Sequence, residues 1–230
     1  MTTEFRAKGS TGEIWLYDQI GSDFWGEGIS AKTFQKELTA LGKVSTLNLR
    51  INSPGGDVFD GLTIYNQLKA HPARVVVDVD GLCASIASVI AMAGDEIRMA
   101  GNAMMMIHNP HGMAIGDSTE MQRVAALLDQ VKGNLADTYA ARTGNLRASI
   151  ETWMSDETWL TADAAVQMGF ADAVTKEQKL AASFGLLANF RNVPAHLRNA
   201  GAAAAGAQRR DIAAVRIQQQ YERMRAAGAA

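Results

Sequence analysis

The stretch from Arg74 to Gly94 constrains the fold of this chain more than any other. Val75, Val76 and Val77 form a continuous β-branched run of the kind buried on both faces of a sheet. Gly81 then turns the chain into Ser85, Ile86, Val89, Ile90 and Met92, a helix that is apolar almost all round and stops at Gly94, so both elements belong inside a domain. From Glu13 to about Val174, short β-like runs alternate with helical periods, the sign of an α/β domain built from βα units. Strands are expected over Ile14 to Tyr17, Thr46 to Ile51, Arg74 to Val79, Glu96 to Met99, Met104 to Ile107 and Ala171 to Val174, in a mixed sheet. Ser30 is placed to cap a helix carrying Phe34, Leu38 and Leu41, and Val58, Leu62, Tyr65 and Leu68 mark a second. The longest helix carries Met121, Val124, Leu128, Val131, Leu135 and Tyr139, a stripe longer than a lone surface helix needs and suited to packing on another element or subunit.

Composition narrows what such a domain does. With 230 residues, 47% of them hydrophobic, the chain builds one sizeable core, and a formal net charge of −2 gives no basic field to draw in nucleic acid or an anionic membrane. Residues Met1 to Gly12 are polar apart from Phe5 and lack the apolar stretch of a secretory signal or a membrane span, so a cytoplasmic location is expected. The single cysteine, Cys83, excludes an intramolecular disulfide and a metal site of clustered thiolates. After Val174 the composition shifts toward alanine and arginine. Gly201 to Gly206 is almost pure glycine and alanine, and a weakly amphipathic helix fits Asp211 to Arg225. The expected organisation is a main domain over 1–175 and a flexible or helical appendage over 176–230.

Three segments carry potential chemistry. In Val79-Asp80-Gly81-Leu82-Cys83-Ala84-Ser85-Ile86 a buried strand reaches a glycine turn and opens a helix at a serine, where the N–H of Ile86 is placed to stabilise an oxyanion; read blandly, Ser85 is an N-cap. In Ile51-Asn52-Ser53-Pro54-Gly55-Gly56-Asp57 the bare backbone admits close approach, so Gly55 can supply a second oxyanion N–H and Gly56 can pair with an extended substrate, although such turns commonly have no function. In Met104-Met105-Met106-Ile107-His108-Asn109-Pro110 a strand ends in histidine, the side chain suited to proton transfer near neutrality, with His111 as a nearby rival. His71 ends a helix and His196 lies in the appendage. A base needs an orienting acid, and Asp156, Glu157 and Asp163 offer candidates that spacing does not separate. The order serine, histidine, acid and the absence of Gly-x-Ser-x-Gly count against a lipase or esterase.

Together these segments resemble the ClpP family of self-compartmentalising serine peptidases, with the greatest likeness to phage-encoded ClpP-like head maturation proteases. The resemblance rests on INSPGGDVFDG (Ile51 to Gly61), VDGLCASIASVIAMAGDEI (Val79 to Ile97), MMIHNP (Met105 to Pro110) and ETWLTADAAVQMGFAD (Glu157 to Asp172), four segments in the family's order and spacing. It implies the ClpP/crotonase-like α/β fold with a mixed sheet and flanking helices. It also implies Ser85 as nucleophile, His108 as base, Glu157 as the acid in a place where aspartate is typical, Gly55 and Ile86 as oxyanion donors, and Met113 to Ile115 in a strand that aligns substrate. Cys83 stands where alanine is usual and reads as a small buried residue whose apolar surroundings raise its pKa, not as a second nucleophile.

By the same resemblance the reaction is serine-type endopeptidase hydrolysis of protein or peptide substrates, in a homo-oligomeric ring, without metal or organic cofactor. WGEGIS (Trp25 to Ser30), IYNQLKAH (Ile64 to His71) and the ETW form of the acid segment look like the phage branch, which implies capsid or scaffold proteins as partners and the host cytoplasm as location. The alternative is the proteolytic subunit of an ATP-dependent Clp protease, partnered by an ATPase unfoldase. A crotonase-fold enzyme acting on acyl-CoA gives no reason for Ser85 and His108 together, and an inactive scaffold subunit would follow from a misplaced acid.

Overall fold

A computed structural model describes residues 4–22 and 28–178, together with 187, 190–195 and 197. The appendage readings at Gly201 to Gly206 and Asp211 to Arg225, the residue His196, and the Trp25 to Glu27 part of WGEGIS lie outside the described residues. The chain divides near Leu180 into two units, and the description that follows concerns the first.

Its strands are β1 (Glu4–Lys8), β2 (Thr11–Leu16), β3 (Gly21–Ser22), β4 (Gly28–Ile29), β5 (Thr46–Ser53), β6 (Arg74–Ala84), β7 (Glu96–Ala100), β8 (Met104–Ile107), β9 (Thr158–Thr161) and β10 (Ala173–Thr175). Between them lie α1 (Ala31–Ala40), α2 (Val58–Ala70), α3 (Ile86–Ala91), α4 (Ser118–Thr143), α5 (Arg147–Ser155) and α6 (Ala162–Gln167). The main sheet runs β1-β2-β5-β6-β7-β10, with β8 joined to the far end of β6 and β9 to β8. The β2, β5, β6, β7 and β10 pairings are parallel, whereas β1 on β2 and β9 on β8 are antiparallel, so the sheet is mixed, as expected.

Alternation along the strands decides what each face meets. Leu47, Leu49 and Ile51 of β5 and Val75, Val77 and Val79 of β6 are buried in one cluster with Phe34 and Leu38 of α1, Ile64 and Leu68 of α2 and Ile86, Val89 and Ile90 of α3. Asn48, Arg50 and Asp78 point from the opposite face and are only partly buried. There Arg98 holds Asp78 through two bonds of 2.8 and 2.7 Å. Arg50 grips the buried Asp80 at 2.8 and 2.5 Å, and Tyr17 donates to the same carboxylate at 2.5 Å. Burial and the neighbouring Asp80 push the Tyr17 phenol up to about 12.

Several local expectations need correction. Of the residues before Glu13, Glu4–Lys8 form the edge strand β1 and Thr11 and Gly12 the start of β2, with Phe5 edge-on to Phe34 at 5.3 Å. Tyr17 falls beyond β2, and β10 starts at Ala173, not Ala171. Ser30 does cap α1, accepting from the Thr33 N–H. On α2 the buried face is Gly61, Ile64 and Leu68, while Val58, Leu62 and Tyr65 are partly buried. Gly81 makes no turn: β6 runs through it from Arg74 to Ala84, past the expected end at Val79, and the following helix starts at Ile86 and ends at Ala91. Of the α4 stripe only Val131, Leu135 and Tyr139 are buried; Val124 and Leu128 are partly buried, and Met121 is exposed, as is Leu127 outside the stripe. Among the described residues no helix is long and apolar enough to cross a membrane.

Gly61 permits the α2–α3 contact: a Cβ there would stand 2.2 Å from Ile86 Cγ1 and 3.2 Å from Ile86 Cγ2. Helix propensity alone favours alanine by about 1 kcal/mol, but overpacking costs about 1–3 kcal/mol. Gly61→Ala is therefore expected to lower the urea midpoint, with the crowding outweighing the propensity gain; a raised midpoint would show that α2 and α3 can separate freely.

Candidate active site

Ser85 occupies the N-cap position of α3, yet its hydroxyl makes no capping bond. Its Oγ lies 2.7 Å from His108 Nε2 instead, which sets the bland capping reading aside. Topology brings the two together. Over Val76 to Val79, β6 pairs with β7, and over Leu82 to Ala84 it pairs with β8, so the residues following β6 and β8 emerge side by side. The change of neighbour is pinned by the Asn52 side chain, whose Oδ1 accepts the Leu82 N–H at 3.0 Å.

The serine backbone sits at φ 55, ψ −131, a conformation rare for a residue with a Cβ and costing about 1–3 kcal/mol. Two bonds hold it there: the Ser85 N–H donates to the Met106 carbonyl at 2.9 Å, and the Ser85 carbonyl accepts the Ser88 N–H at 2.9 Å. The effect is to turn Oγ out of the α3 axis toward the histidine. Cys83, fully buried two residues earlier, has its thiol pushed up by desolvation, in line with a structural role.

Antiparallel β9 runs beside β8 next to the acid candidates. Met104 opposes Thr161 and Ile107 opposes Thr158, so His108 follows directly on one strand where their pairing ends and Glu157 directly precedes the other. Glu157 is 4% exposed, whereas Asp156 and Asp163 are exposed. Its φ of 52 marks a second constrained backbone, tied by its N–H to the Met154 carbonyl at 3.2 Å, and Trp159 Nε1 donates to its Oε1 at 3.4 Å. Asp156 instead forms the C-cap of α5, and Asp163 lies in the first turn of α6. His111 is exposed, with its ring 5.3 Å from that of His108. Away from the site, His71 ends α2 and accepts the Ala73 N–H through Nδ1.

The glycine turn closes over the serine. A Cβ on Gly55, at φ 89, would stand 2.7 Å from both the Ala84 carbonyl oxygen and Ser85 Cβ and 3.2 Å from the Ile86 nitrogen, so this backbone and that of Ile86 converge beside Ser85. The Gly55 N–H donates to Ser53 Oγ at 3.2 Å, and the Ser53 hydroxyl donates to the Asp18 carbonyl at 2.6 Å. Ile20 bonds the Gly55 carbonyl and the Asp57 N–H, both at 2.9 Å, which directs the polar groups of Gly56 to the other edge. Beside it lies a cavity of about 290 Å³ with Gly56, Phe59, Pro110, His111, Leu127 and Leu128 among its walls. Met113 and Ile115, in the segment after His111, are 88% and 89% exposed and form no strand.

What the sequence missed is a buried polar pair behind the serine, Ser88 and Tyr139, whose hydroxyls are 2.7 Å apart. Two signals were available: a serine in an otherwise apolar helix, and a tyrosine at the end of a hydrophobic stripe.

Comparison with known proteins adds a second line of support. The Clp protease family profile matches residues 13–178. ATP-dependent Clp protease proteolytic subunit 1 of Protochlamydia amoebophila (strain UWE25) is 32% identical over 165 residues, covering 70% of this chain and 79% of that protein. The subunit of the same name from Leifsonia xyli subsp. xyli (strain CTCB07) is 29% identical over 174 residues, with 75% and 87% covered. ATP-dependent Clp protease proteolytic subunit of Ligilactobacillus salivarius (strain UCC118) is 34% identical over 144 residues, with 62% and 73% covered.

The burial of Cys83 makes a direct prediction: an alkylating reagent should modify the thiol only as the protein unfolds, with the native protein unmodified by intact mass. Rapid native-state modification would place this residue in an open cleft and contradict the packing around Ser85.

Proposed function

The chain belongs to the Clp protease family of serine endopeptidases, and we propose that Ser85, His108 and Glu157 are its catalytic triad. The 2.7 Å contact between Ser85 Oγ and His108 Nε2 carries this reading. A serine hydroxyl is a weak nucleophile unless an adjacent base takes its proton as it attacks. In the proposed cycle the substrate enters extended along the Gly56 edge, Ser85 Oγ attacks the scissile carbonyl, and His108 takes the serine proton and delivers it to the leaving amine. Water, activated by His108, then hydrolyses the acyl-enzyme. The buried Glu157 orients the imidazole and stabilises its charged form.

The oxyanion is assigned to the N–H groups of Gly55 and Ile86. The first already donates to Ser53 Oγ, but that bond is long and between neutral groups. A charged oxygen is the stronger acceptor by about twofold, so the developing negative charge draws the donor across. The cycle uses no metal or organic cofactor.

For the biological role, the relatives named above favour the proteolytic subunit of an ATP-dependent Clp protease over a head maturation protease. The head maturation reading rests on local likenesses in WGEGIS, IYNQLKAH and ETW, with capsid or scaffold proteins as its substrates. The exposed Met121 and Leu127 on α4 support assembly into a homo-oligomeric ring, and the proposed location is the cytoplasm.

Three experiments test these assignments. A fluorophosphonate should label Ser85 and no other residue, with labelling lost in His108→Ala. Glu157→Gln should cut turnover by about 10³–10⁴-fold with little change in KM, whereas Asp156→Asn should be mild; the reverse ranking would move the acid role to Asp156. Degradation of a folded, tagged substrate is expected only with an ATPase unfoldase and ATP. Efficient cleavage of a capsid or scaffold protein without nucleotide would restore the head maturation role.

A further inference from the structure

Behind the nucleophile, Ser88 and Tyr139 form a polar pair within apolar surroundings. Both are buried, at 0% and 1% exposure, and they join the first full turn beyond Ser85 to the C-terminal half of α4. Ser88 Oγ is 2.6 Å from the Ser85 carbonyl oxygen, 3.2 Å from the Met106 carbonyl oxygen and 2.7 Å from Tyr139 Oη. Both carbonyls accept only, so the single Ser88 proton belongs to one of them, and Tyr139 must then donate its own proton to Ser88 Oγ. Burial raises the Tyr139 phenol well above its ordinary range, so it stays a donor at any working pH. The ring itself is held edge-on to Phe170 at 5.8 Å.

These carbonyls are the two that fix the unusual backbone of Ser85. Met106 C=O accepts the Ser85 N–H, and the Ser85 carbonyl is already held by the Ser88 N–H. The hydroxyl chain from Tyr139 through Ser88 thus ends on the Ser85 carbonyl at 2.6 Å, the shorter of the two contacts, with the Met106 carbonyl beside it at 3.2 Å. We propose that Ser88 and Tyr139 are positioning residues that hold Ser85 in its strained conformation, with Oγ aimed at His108. The proposal rests on Ser85 being the nucleophile.

The test compares Tyr139→Phe, Ser88→Ala and the double variant with wild type, reading kcat and KM on a quenched fluorogenic peptide, the fluorophosphonate labelling rate, and the thermal midpoint. Tyr139→Phe should lower kcat and the labelling rate together by about tenfold with KM within about twofold, because a displacement well under 1 Å already disturbs a near-attack geometry. Ser88→Ala strands the buried Tyr139 hydroxyl and should lower the thermal midpoint, whereas Tyr139→Phe leaves the Ser88 hydroxyl its bond to the Ser85 carbonyl and should lower it less. The double variant removes both hydroxyls and leaves the Ser85 and Met106 carbonyls bonded to backbone N–H groups, so its midpoint should return toward wild type. Its kcat should stay low. Recovery of kcat together with the midpoint, or an effect confined to KM, would reduce the pair to ordinary packing and overturn the proposal. Should the double variant fail to fold, the kcat and KM split in Tyr139→Phe decides alone. Labelling that survives in Ser85→Ala would refute the nucleophile assignment itself, an outcome separate from either of these.

Discussion

The site depends on one strand having two different neighbours. Along its first half β6 is paired with β7, and beyond Gly81 it is paired with β8, so a chain end that would otherwise be an ordinary strand terminus faces the end of a second strand. Two features hold the changeover. Arg50 and Tyr17 clamp the buried Asp80 carboxylate from β5 and from just beyond β2, and Asn52 takes the Leu82 N–H where the register with β5 breaks between Ile51 and Ser53. A buried charge without partners would cost several kcal/mol. The pairing of Asp80 therefore makes this crossing point stiff, and stiffness here keeps Ser85 and His108 within hydrogen-bond reach.

Strain is concentrated downstream of that point. Ser85 and Glu157 are the non-glycine residues with positive φ among those described, one directly after β6 and the other directly before β9. Each is fixed by backbone bonds, Ser85 to Met106 and Ser88, and Glu157 to Met154. Held conformations of about 1–3 kcal/mol each persist only where surrounding structure over-determines them. The apolar cluster beneath α3 supplies that determination, since Ile86, Val89 and Ile90 have no solvent-facing alternative.

Much of this was legible from residue patterns, because β6 and α3 announce themselves by apolar runs and α1 by its serine cap. The edge strand β1 was not, since its residues are nearly all exposed and carry no alternating signal. Strand β9 follows α5 after two residues and is only four residues long, too short for its period to stand out. What separates Asp156, Glu157 and Asp163 was invisible for a deeper reason: the burial of Glu157 and the exposure of the other two follow from how the segment before β9 packs once β9 pairs with β8, a long-range pairing that local spacing does not encode. The φ of Ser85 is hidden likewise, because serine has no preference for that conformation and acquires it only from the Met106 and Ser88 bonds.

The stripe on α4 shows how one periodic pattern can mix two jobs. Its C-terminal part, Val131, Leu135 and Tyr139, is buried against the domain, while Met121 nearer the N-terminus stays exposed, as does Leu127 beside the stripe, and Leu128 is half-buried at the cavity beside Gly56. A helix of 26 residues extends about 39 Å, far more than is needed to cover α3. Folding of the domain accounts for the buried end alone. The outer end keeps apolar side chains that packing within the described unit does not bury, so the length of the helix and the burial of its stripe have separate causes.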